Sequence, residues 1–423
     1  MKQILILTLL LAASLRAETL LLRGAVVHTV AKGTLEPGDV LIRDGKIAAV
    51  AARIDEKADR VLDMKDMHLY PGLVSPSTDL GLVEIPALRA AVDDKETGEF
   101  TPEVESWNAV NPDSELIPVA RANGITHFVP IPQGKFITGS SGMMAARGWT
   151  IEDMLVRRHT AMHLVWPGHS LKIPGPNTPT DAKSLDEQSR ERKEKVRVIE
   201  RFFADAEAWG KRDAKDAKVP AWEAMQPVLR GEVPLIIHAN GQREIKAALA
   251  WSESRPKLRI VLLGGRDAWM HAEELAKRKI AVIYTEVFTL PVRASDSYDV
   301  QFTAPSILHQ AGVSVAISEG LERASASGQR NLPYIAAQAA AFGLPADAAL
   351  ASITLVPAQI HGVADRLGSI EPGKDASLFA ATGDILDIRS QVKHLWISGI
   401  EQSLESRHTR LAEKYRNRPK AEK

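Results

Sequence analysis

The sequence predicts an α/β protein: a barrel of alternating strands and helices, with a small β-sandwich domain built from both chain ends. Segments of β character lie near both ends of the 423 residues. Between them, strand-like apolar runs alternate with helical segments, as expected for βα units around a parallel sheet. A chain of this length exceeds one average domain, but it suits one large core with an accessory domain.

The composition is typical of a globular protein with a small partner. Apolar residues make up 45% of the chain and charged residues 25%, which excludes disordered and fibrous classes. Lys+Arg and Asp+Glu both number 53, so no net charge favours nucleic acid. We therefore expect a small-molecule or peptide-like substrate and no nucleic acid, and we interpret the basic tail 406–423 as a solvated helix.

The N-terminal segment 1–17 has the pattern of a secretory signal peptide. A basic start at Lys2 precedes an apolar run, and Ala17 ends the segment with a small residue. The run is shorter than the roughly 20 residues that a spanning helix needs. The sequence thus predicts export to the periplasm or the extracellular space, and no membrane span in the mature chain.

Two separated segments, 19–69 and 366–405, predict one composite β domain. In the first, Asp44-Gly45 separates two apolar runs, which is a hairpin signal. In the second, residues 376–380 and 392–399 return to strand character after a long helical region. A β domain divided in this way requires that both ends of the barrel segment lie on one side.

Residues 70–365 are predicted to form the barrel. The clearest strands are 124–129, 234–238, 259–263, 280–283 and 313–317. Residues 170–230 are predicted to form a helical insertion, in which Ser184 and Glu187 have capping-box spacing. Apolar residues from Val196 to Trp209 would give that helix one buried face.

Several motifs resemble those of amidohydrolases related to imidazolonepropionase, prolidase-like hydrolases and dihydroorotase. Residues 70–74 (Tyr-Pro-Gly-Leu-Val) resemble the lead-in to the first barrel strand of that family. Residues 331–333, 348–358 and 367–378 resemble its closing motifs in the same order. The resemblance implies a TIM-like (β/α)8 barrel and hydrolysis of carbon–nitrogen bonds other than peptide bonds.

The resemblance also implies metal ligands at the carboxyl ends of the strands, and most of them are replaced in this chain. Ser77 and Asp79 stand where the family has a His-x-His pair, and only Asp79 is a reasonable metal ligand. His238 matches the histidine of the fifth strand, although a core histidine would look the same. Because the chain has no Cys, any metal must be held by His, carboxylates and water.

The remaining candidate positions follow the later strands. Gly264 and Gly265 replace the sixth-strand histidine, and either bind an anionic ligand through backbone N–H groups or form a plain tight turn. Asn240 follows His238 and is a candidate for substrate binding. Glu319 occupies the place of the eighth-strand Asp, either as catalytic acid and base or as a structural partner of Arg323.

Another histidine pair has the spacing of a helical metal site. His159 and His163 are four residues apart on a helix predicted to begin at Thr150. A solvated helix face is the simpler interpretation, because the Glu of a His-Glu-x-x-His motif is absent.

Two functions therefore remain open from the sequence. The first is an amidohydrolase acting on cyclic or other non-peptide C–N bonds, with one divalent ion, zinc or a similar metal, held by Asp79, His238 and Glu319, or with no metal. The second is a non-catalytic relative that binds a ligand or a partner subunit as a homo- or hetero-oligomer. The fold alone does not distinguish the two.

Overall fold

The computed structural model describes residues 19–168, 183–212, 218–321 and 325–419. The predicted signal peptide 1–17, the Pro- and Gly-rich part of the insertion and Arg323 lie outside these residues. In the described part the chain forms two eight-stranded sheets. One sheet is built from both chain ends, and the other is a nearly closed barrel.

The composite sheet joins the two chain ends as expected. Its order is β16-β15-β14-β5-β1-β2-β3, and β4 pairs with β1. The strands are β1 (Thr19–His28), β2 (Thr34–Arg43), β3 (Lys46–Ala51), β4 (Arg60–Asp63), β5 (His68–Pro71), β14 (Leu378–Ala381), β15 (Val392–Ile397) and β16 (Ile400–Glu401). The antiparallel pairing of β14 with β5 connects the C-terminal strands to the N-terminal ones.

The predicted hairpin forms between β2 and β3. Asp44 has φ 53° and Gly45 has φ 73°, the left-handed pair that a two-residue type I′ turn requires. A Cβ at Gly45 would lie 2.6 Å from the carbonyl oxygen of Ser398, so the turn packs against the C-terminal strands. The hairpin is therefore held in place by the other end of the chain.

The barrel sheet has the order β13-β12-β11-β10-β9-β8-β7-β6. Its strands are β6 (Leu73–Thr78), β7 (Ile125–Pro130), β8 (Ile137–Ala145), β9 (Leu155–Val165), β10 (Leu235–Ala239), β11 (Ile260–Gly264), β12 (Ala281–Tyr284) and β13 (Val315–Ile317). The five strands singled out from the sequence are confirmed. β8 departs from the all-parallel expectation, because it pairs antiparallel with both β7 and β9.

Helices cover the barrel and connect its strands. They are α1 (Leu116–Arg121), α2 (Ile151–Met154), α3 (Leu185–Trp209), α4 (Pro220–Leu229), α5 (Gln242–Glu253), α6 (Ala272–Lys277), α7 (Val300–Gln310), α8 (Ser325–Gly328), α9 (Leu332–Ala341), α10 (Ala346–Ser352), α11 (Leu355–Ile360) and α12 (Arg407–Arg416). None of the helices in the described ranges is long and apolar enough to cross a membrane.

The predicted helix of the insertion is confirmed in α3. Ser184 and Glu187 form the capping box, each side chain bonding the backbone N–H of the other residue. Ile199, Phe202 and Phe203 lie on its buried face. The apolar stripe therefore attaches this charged helix to the main core.

The prediction that His159 and His163 lie on a helix is wrong. Thr150 does cap a helix, but α2 ends at Met154, and both histidines lie on β9. The β-branched and apolar residues of 155–165 pair with the neighbouring strands β8 and β10, and this pairing outweighs the helix signal. His163 therefore reaches the buried interior from a strand and not from a helix face, whereas His159 is exposed.

Phe379 on β14 joins the composite sheet to the barrel. Its side chain is fully buried and stacks on Tyr70 of β5 with ring centroids 5.4 Å apart. On the barrel side it packs against Gly124, where a Cβ would lie 3.1 Å from the Phe379 ring. One aromatic ring thus fills the contact between the two sheets.

We predict that Phe379→Ala lowers the free energy of unfolding by about 3–5 kcal/mol, because it leaves a cavity between the sheets. Phe288, which is 59% exposed, is the matched control, and Phe288→Ala should change stability by less than about 0.5 kcal/mol. Urea denaturation monitored by circular dichroism measures both. Equal effects of the two substitutions would contradict this role of Phe379.

Candidate functional site

A pocket of about 660 Å³ opens at the carboxyl ends of β10 to β13. This is the end of a barrel where βα loops place reactive groups. Four of the predicted site residues line it: His238, Asn240, Gly264 and Glu319. Another cavity, of about 610 Å³, lies near the amino ends of the same strands and contains none of the predicted residues.

Two serines hold the first and last barrel strands together below this pocket. β6 and β13 end the strand order and share no backbone pairing in the described structure. Ser77 of β6 donates to the hydroxyl of Ser318 at 3.0 Å, and Ser318 donates to the carbonyl oxygen of Ser77 at 2.8 Å. Ser77, in the place of a family ligand, therefore has a structural role.

The contact between the two serines brings Asp79 and Glu319 near each other. Asp79 lies two residues after Ser77, and Glu319 lies one residue after Ser318. Asp79 is 3% exposed, and its Oδ1 accepts a hydrogen bond from Ser325 at 2.6 Å. Ser325 lines the pocket, whereas Asp79 lies behind it. Glu319 lies on the pocket wall itself.

Burial and charge change the protonation of this carboxyl pair. Burial raises the pKa of Glu319, and the negative charge of Asp79 raises it further, to about 7. Burial also raises the pKa of Asp79, although the hydrogen bond from Ser325 opposes that change. Glu319 is therefore a carboxyl group that gains and loses a proton near neutral pH at the edge of a pocket.

His238 is linked to a histidine that sequence reasoning placed elsewhere. Its Nε2 lies 3.0 Å from Nδ1 of His163 on the adjacent strand, and Nε2 of His163 lies 2.9 Å from the hydroxyl of Ser141 on β8. Burial lowers the pKa of His238 to about 4, and burial together with the nearby His238 lowers the pKa of His163 well below its usual value. Both imidazoles are therefore neutral at physiological pH.

For one of the two residues that the sequence analysis did not assign to the site, His163 and Ser141, the sequence contained an indication. Ala161 and Ile236 belong to the interior apolar cluster of the barrel, so His163 and His238, two residues further along β9 and β10, face the same interior. Interpreting 155–165 as a strand would have placed His163 on the same face as Ala161. Ser141 had no comparable signal, because a serine inside a strand is not distinctive.

The loops after β10 and β11 are fixed by contacts between Asn240 and Gly264. Gly264 has φ 96°, and a Cβ there would overlap the side-chain oxygen of Asn240. The family histidine therefore has no space at this position. The N–H of Gly265 donates to Ala239 at 3.0 Å and Gly265 is not among the lining residues, so this glycine supports the tight turn and not an anion site.

The residues at the strand ends do not fit a three-ligand metal centre. Within the described ranges, no three His, Asp or Glu side chains are grouped so that they could hold a metal ion. The predicted convergence of Asp79, His238 and Glu319 on one ion is not observed, because Asp79 turns towards Ser325 and His238 towards His163. Asp79 and His238 are instead engaged in hydrogen bonds within the protein.

The rim of the pocket is held by an ion pair between two loops. Arg293 donates from both terminal nitrogens to buried Asp267, at 2.8 and 2.9 Å, and its Nε donates to Asp296 at 2.8 Å. These two carboxylates raise the pKa of Arg293. The loop after β12, which carries Thr285 and Phe288 into the pocket wall, is thereby fixed to the loop after β11.

The chain belongs to the amidohydrolase family. The family model named "Amidohydrolase family" matches residues 158–401, which include His163, His238 and Glu319. The amidohydrolase tasK of Hapsidospora irregularis is 23% identical over 399 residues, covering 86% of this chain and 40% of tasK. The chain thus spans about two fifths of the length of that relative.

Solved structures show the same fold. An amidohydrolase from Thermotoga maritima has a TM-score of 0.79 at 24% identity, over 90% of this chain and 99% of that one. A prolidase complexed with N-methylphosphonate-L-proline has a TM-score of 0.54 at 14% identity, over 91% of this chain and 99% of that one. The expected TIM-like barrel with a composite β domain is confirmed.

We predict that Gly264→Ala destabilises the protein by about 2 kcal/mol more than Gly312→Ala, since both positions have positive φ but only Gly264 contacts Asn240. A Cβ at Gly312, with φ 90°, would meet no atom within 4 Å, so this control isolates the steric conflict. Urea denaturation of both variants measures the difference. Similar losses of stability in the two variants would show that the Asn240 side chain can move aside without an energetic penalty.

We also predict a pH-dependent stabilisation by Glu319→Gln. The pKa of Glu319 is raised in the folded protein, so folded protein binds more protons than unfolded protein between about pH 4.5 and 7, and stability falls as pH rises through that range. The Glu319→Gln variant does not lose stability in this way, because glutamine does not ionise. Relative to pH 4, it should gain roughly 2 kcal/mol over the unmodified protein at pH 8, after a discount for solvent contact.

Chemical denaturation at both pH values tests this effect. Glu273→Gln is the control, because it makes the same chemical change at an exposed position on α6. If the change in stability between pH 4 and pH 8 is the same for Glu319→Gln as for the unmodified protein, the raised pKa is contradicted.

Proposed function

We propose that this protein hydrolyses amide or related C–N bonds of small or peptide-like molecules, with Glu319 as the general base and then the general acid. The observation that carries the proposal is the carboxyl of Glu319, which lines the pocket and has a pKa raised to about 7. A general base works best when its pKa is near the working pH. Membership of the amidohydrolase family supports the reaction class.

The reaction would proceed by water attack. Ionised Glu319 removes a proton from a water molecule while the oxygen of that water bonds to the carbonyl carbon of the substrate. The C–N bond then breaks, and protonated Glu319 returns the proton to the leaving nitrogen, giving a carboxylic acid and an amine. Asp79 favours proton uptake by Glu319, because its negative charge opposes a second one nearby.

The pocket supports a substrate that combines a polar reacting bond with apolar parts. Its wall includes Trp166, Leu263 and Phe288 beside the polar groups of His238 and Glu319. A prolidase of the same fold was solved with a proline phosphonate, which supports inclusion of cyclic and proline-containing amides among the candidates. We derive no step through a metal ion, because the described residues do not form a ligand set.

The second candidate is a non-catalytic member of the family that binds a ligand or a partner subunit. Ser77 and Gly264, which replace two family ligands, are both committed to structural contacts, and this observation supports the candidate. Such a protein would keep the pocket for binding and would assemble as a homo- or hetero-oligomer. We also propose export of the protein to the periplasm or outside the cell, on the pattern of residues 1–17.

We predict that Glu319→Gln lowers kcat by about 10²- to 10⁴-fold while KM changes little, because the amide retains shape but cannot accept a proton. In the unmodified protein, kcat/KM should rise with pH through about 7 as Glu319 ionises. Formation of the carboxylic acid product from hydantoin, dihydrouracil, N-acetyl amino acids and Xaa-Pro dipeptides measures the activity, with EDTA or with added Zn²⁺ or Mn²⁺.

Exposed Glu273→Gln is again the control and should keep full activity. If no amide in this panel is cleaved under any metal condition, while calorimetry detects binding of one of them, the non-catalytic candidate is favoured. Turnover that survives Glu319→Gln unchanged would remove Glu319 from the mechanism.

A further inference from the structure

His163 is a buried, neutral histidine that the proposed reaction does not yet use. Its side chain is 0% exposed, and each ring nitrogen has one partner: Nε2 lies 2.9 Å from Ser141 Oγ, and Nδ1 lies 3.0 Å from His238 Nε2. The two contacts form one chain of hydrogen bonds from the barrel wall to the pocket. In such a chain, the direction of one hydrogen bond sets the direction of the next.

The hydroxyl of Ser141 determines that direction. Thr160 donates its single hydroxyl hydrogen to the carbonyl oxygen of Ser141 at 3.1 Å. The hydroxyl hydrogen of Ser141 then has two acceptors in reach, Nε2 of His163 at 2.9 Å and the hydroxyl oxygen of Thr160 at 3.4 Å. The shorter contact has normal hydrogen-bond length and the longer one is marginal, so Ser141 donates to His163.

The direction continues through both imidazoles. A neutral imidazole has one N–H and one unprotonated nitrogen, so His163, which accepts at Nε2, carries its hydrogen on Nδ1. That N–H donates to Nε2 of His238. His238 therefore carries its own hydrogen on Nδ1, which is the less favoured tautomer of a histidine free in water.

The Nδ1 of His238 is the end of this chain. It has no hydrogen-bond partner among the described residues, and it is absent from the fully buried polar atoms without partners. His238 itself lines the pocket. The chain of hydrogen bonds thus ends in an N–H group of a pocket-lining side chain, and this group has no partner among the described residues.

We infer that His163 is a positioning residue that holds His238 in the Nδ1–H tautomer, and that His238 donates this hydrogen to the carbonyl oxygen of a bound amide. A neutral imidazole that donates to a carbonyl stabilises the negative charge that develops on that oxygen during water attack. His238 then acts as the electrophilic group and Glu319 as the base. This catalytic role rests on the proposed function, whereas the tautomer does not.

Nitrogen-15 NMR of the full-length protein tests the tautomer directly. Two-bond proton–nitrogen correlation spectra at pH 7.5, recorded with EDTA, distinguish protonated from unprotonated ring nitrogens. Comparison with His238→Gln assigns the His238 signals. We expect Nδ1 of His238 to be protonated and Nε2 to be unprotonated.

Two pairs of variants test the positioning role. His163→Leu removes the donor and should shift His238 towards the Nε2–H tautomer, whereas His163→Gln, whose amide can still donate, should retain Nδ1–H. Ser141→Ala removes the hydrogen bond that His163 accepts at Nε2, so it should also shift His238 towards the Nε2–H tautomer. Ser140→Ala is its control, since Ser140 contacts His159 and Val104 instead.

Activity separates this inference from the proposed function. If an amide is cleaved, His163→Leu should lower kcat by at least tenfold with a smaller change in KM, and His163→Gln should restore most of it. Protonation of Nε2 in the unmodified protein, or His238 signals that do not respond to His163→Leu and Ser141→Ala, would overturn the inference even if Glu319-dependent hydrolysis is observed. Absence of hydrolysis would overturn the proposed function and leave the tautomer result intact.

Discussion

The reciprocal hydrogen bonds between Ser77 and Ser318 are the contact on which the site depends. They join β6 to β13, two strands that share no backbone ladder in the described structure. β6 and β13 are otherwise the two edges of the sheet, and an unpaired edge leaves a row of backbone N–H and C=O groups without ladder partners. Because Asp79 lies two residues after Ser77 and Glu319 one residue after Ser318, this contact also brings the two carboxyl groups near each other.

The electrostatics of the pocket follow from that closure. Glu319 is partly withdrawn from water beside buried Asp79, so its charged form is disfavoured and its pKa rises to about 7. The histidines respond to burial in the opposite sense, because their charged form is the protonated one, and they are neutral. A carboxyl that exchanges a proton near neutrality therefore lies in the same pocket as an uncharged imidazole, an arrangement suited to acid–base chemistry.

The strand-end positions beside the pocket make specific contacts within the protein. Gly264 packs against Asn240, Ser77 donates a hydrogen bond to Ser318, and Asp79 accepts one from Ser325. Among the described residues, these positions are therefore held by packing and hydrogen bonds within the protein. Function resides in the geometry and chemistry of such a site and not in the fold alone.

The sequence by itself determined the architecture, because local signals and ordered motifs carry it. The Asp44-Gly45 turn, the Ser184 and Glu187 capping box and the closing motifs each specify structure through nearby residues, and the structure agrees with them. The sequence also placed His238, Asn240, Gly264 and Glu319 at strand ends, where all four line one pocket. It assigned His163 to a helix, because four-residue spacing suits a helix face as well as one face of a strand.

Only the tertiary structure decided what these residues do to one another. The pairing of His163 with His238 joins residues 75 positions apart, and the seam of Ser77 with Ser318 joins residues 241 apart. No local pattern encodes such contacts, because they arise when strands distant in the chain become neighbours in the barrel. Protonation likewise depends on burial and on nearby charge, which are properties of the folded surroundings and not of the residue type.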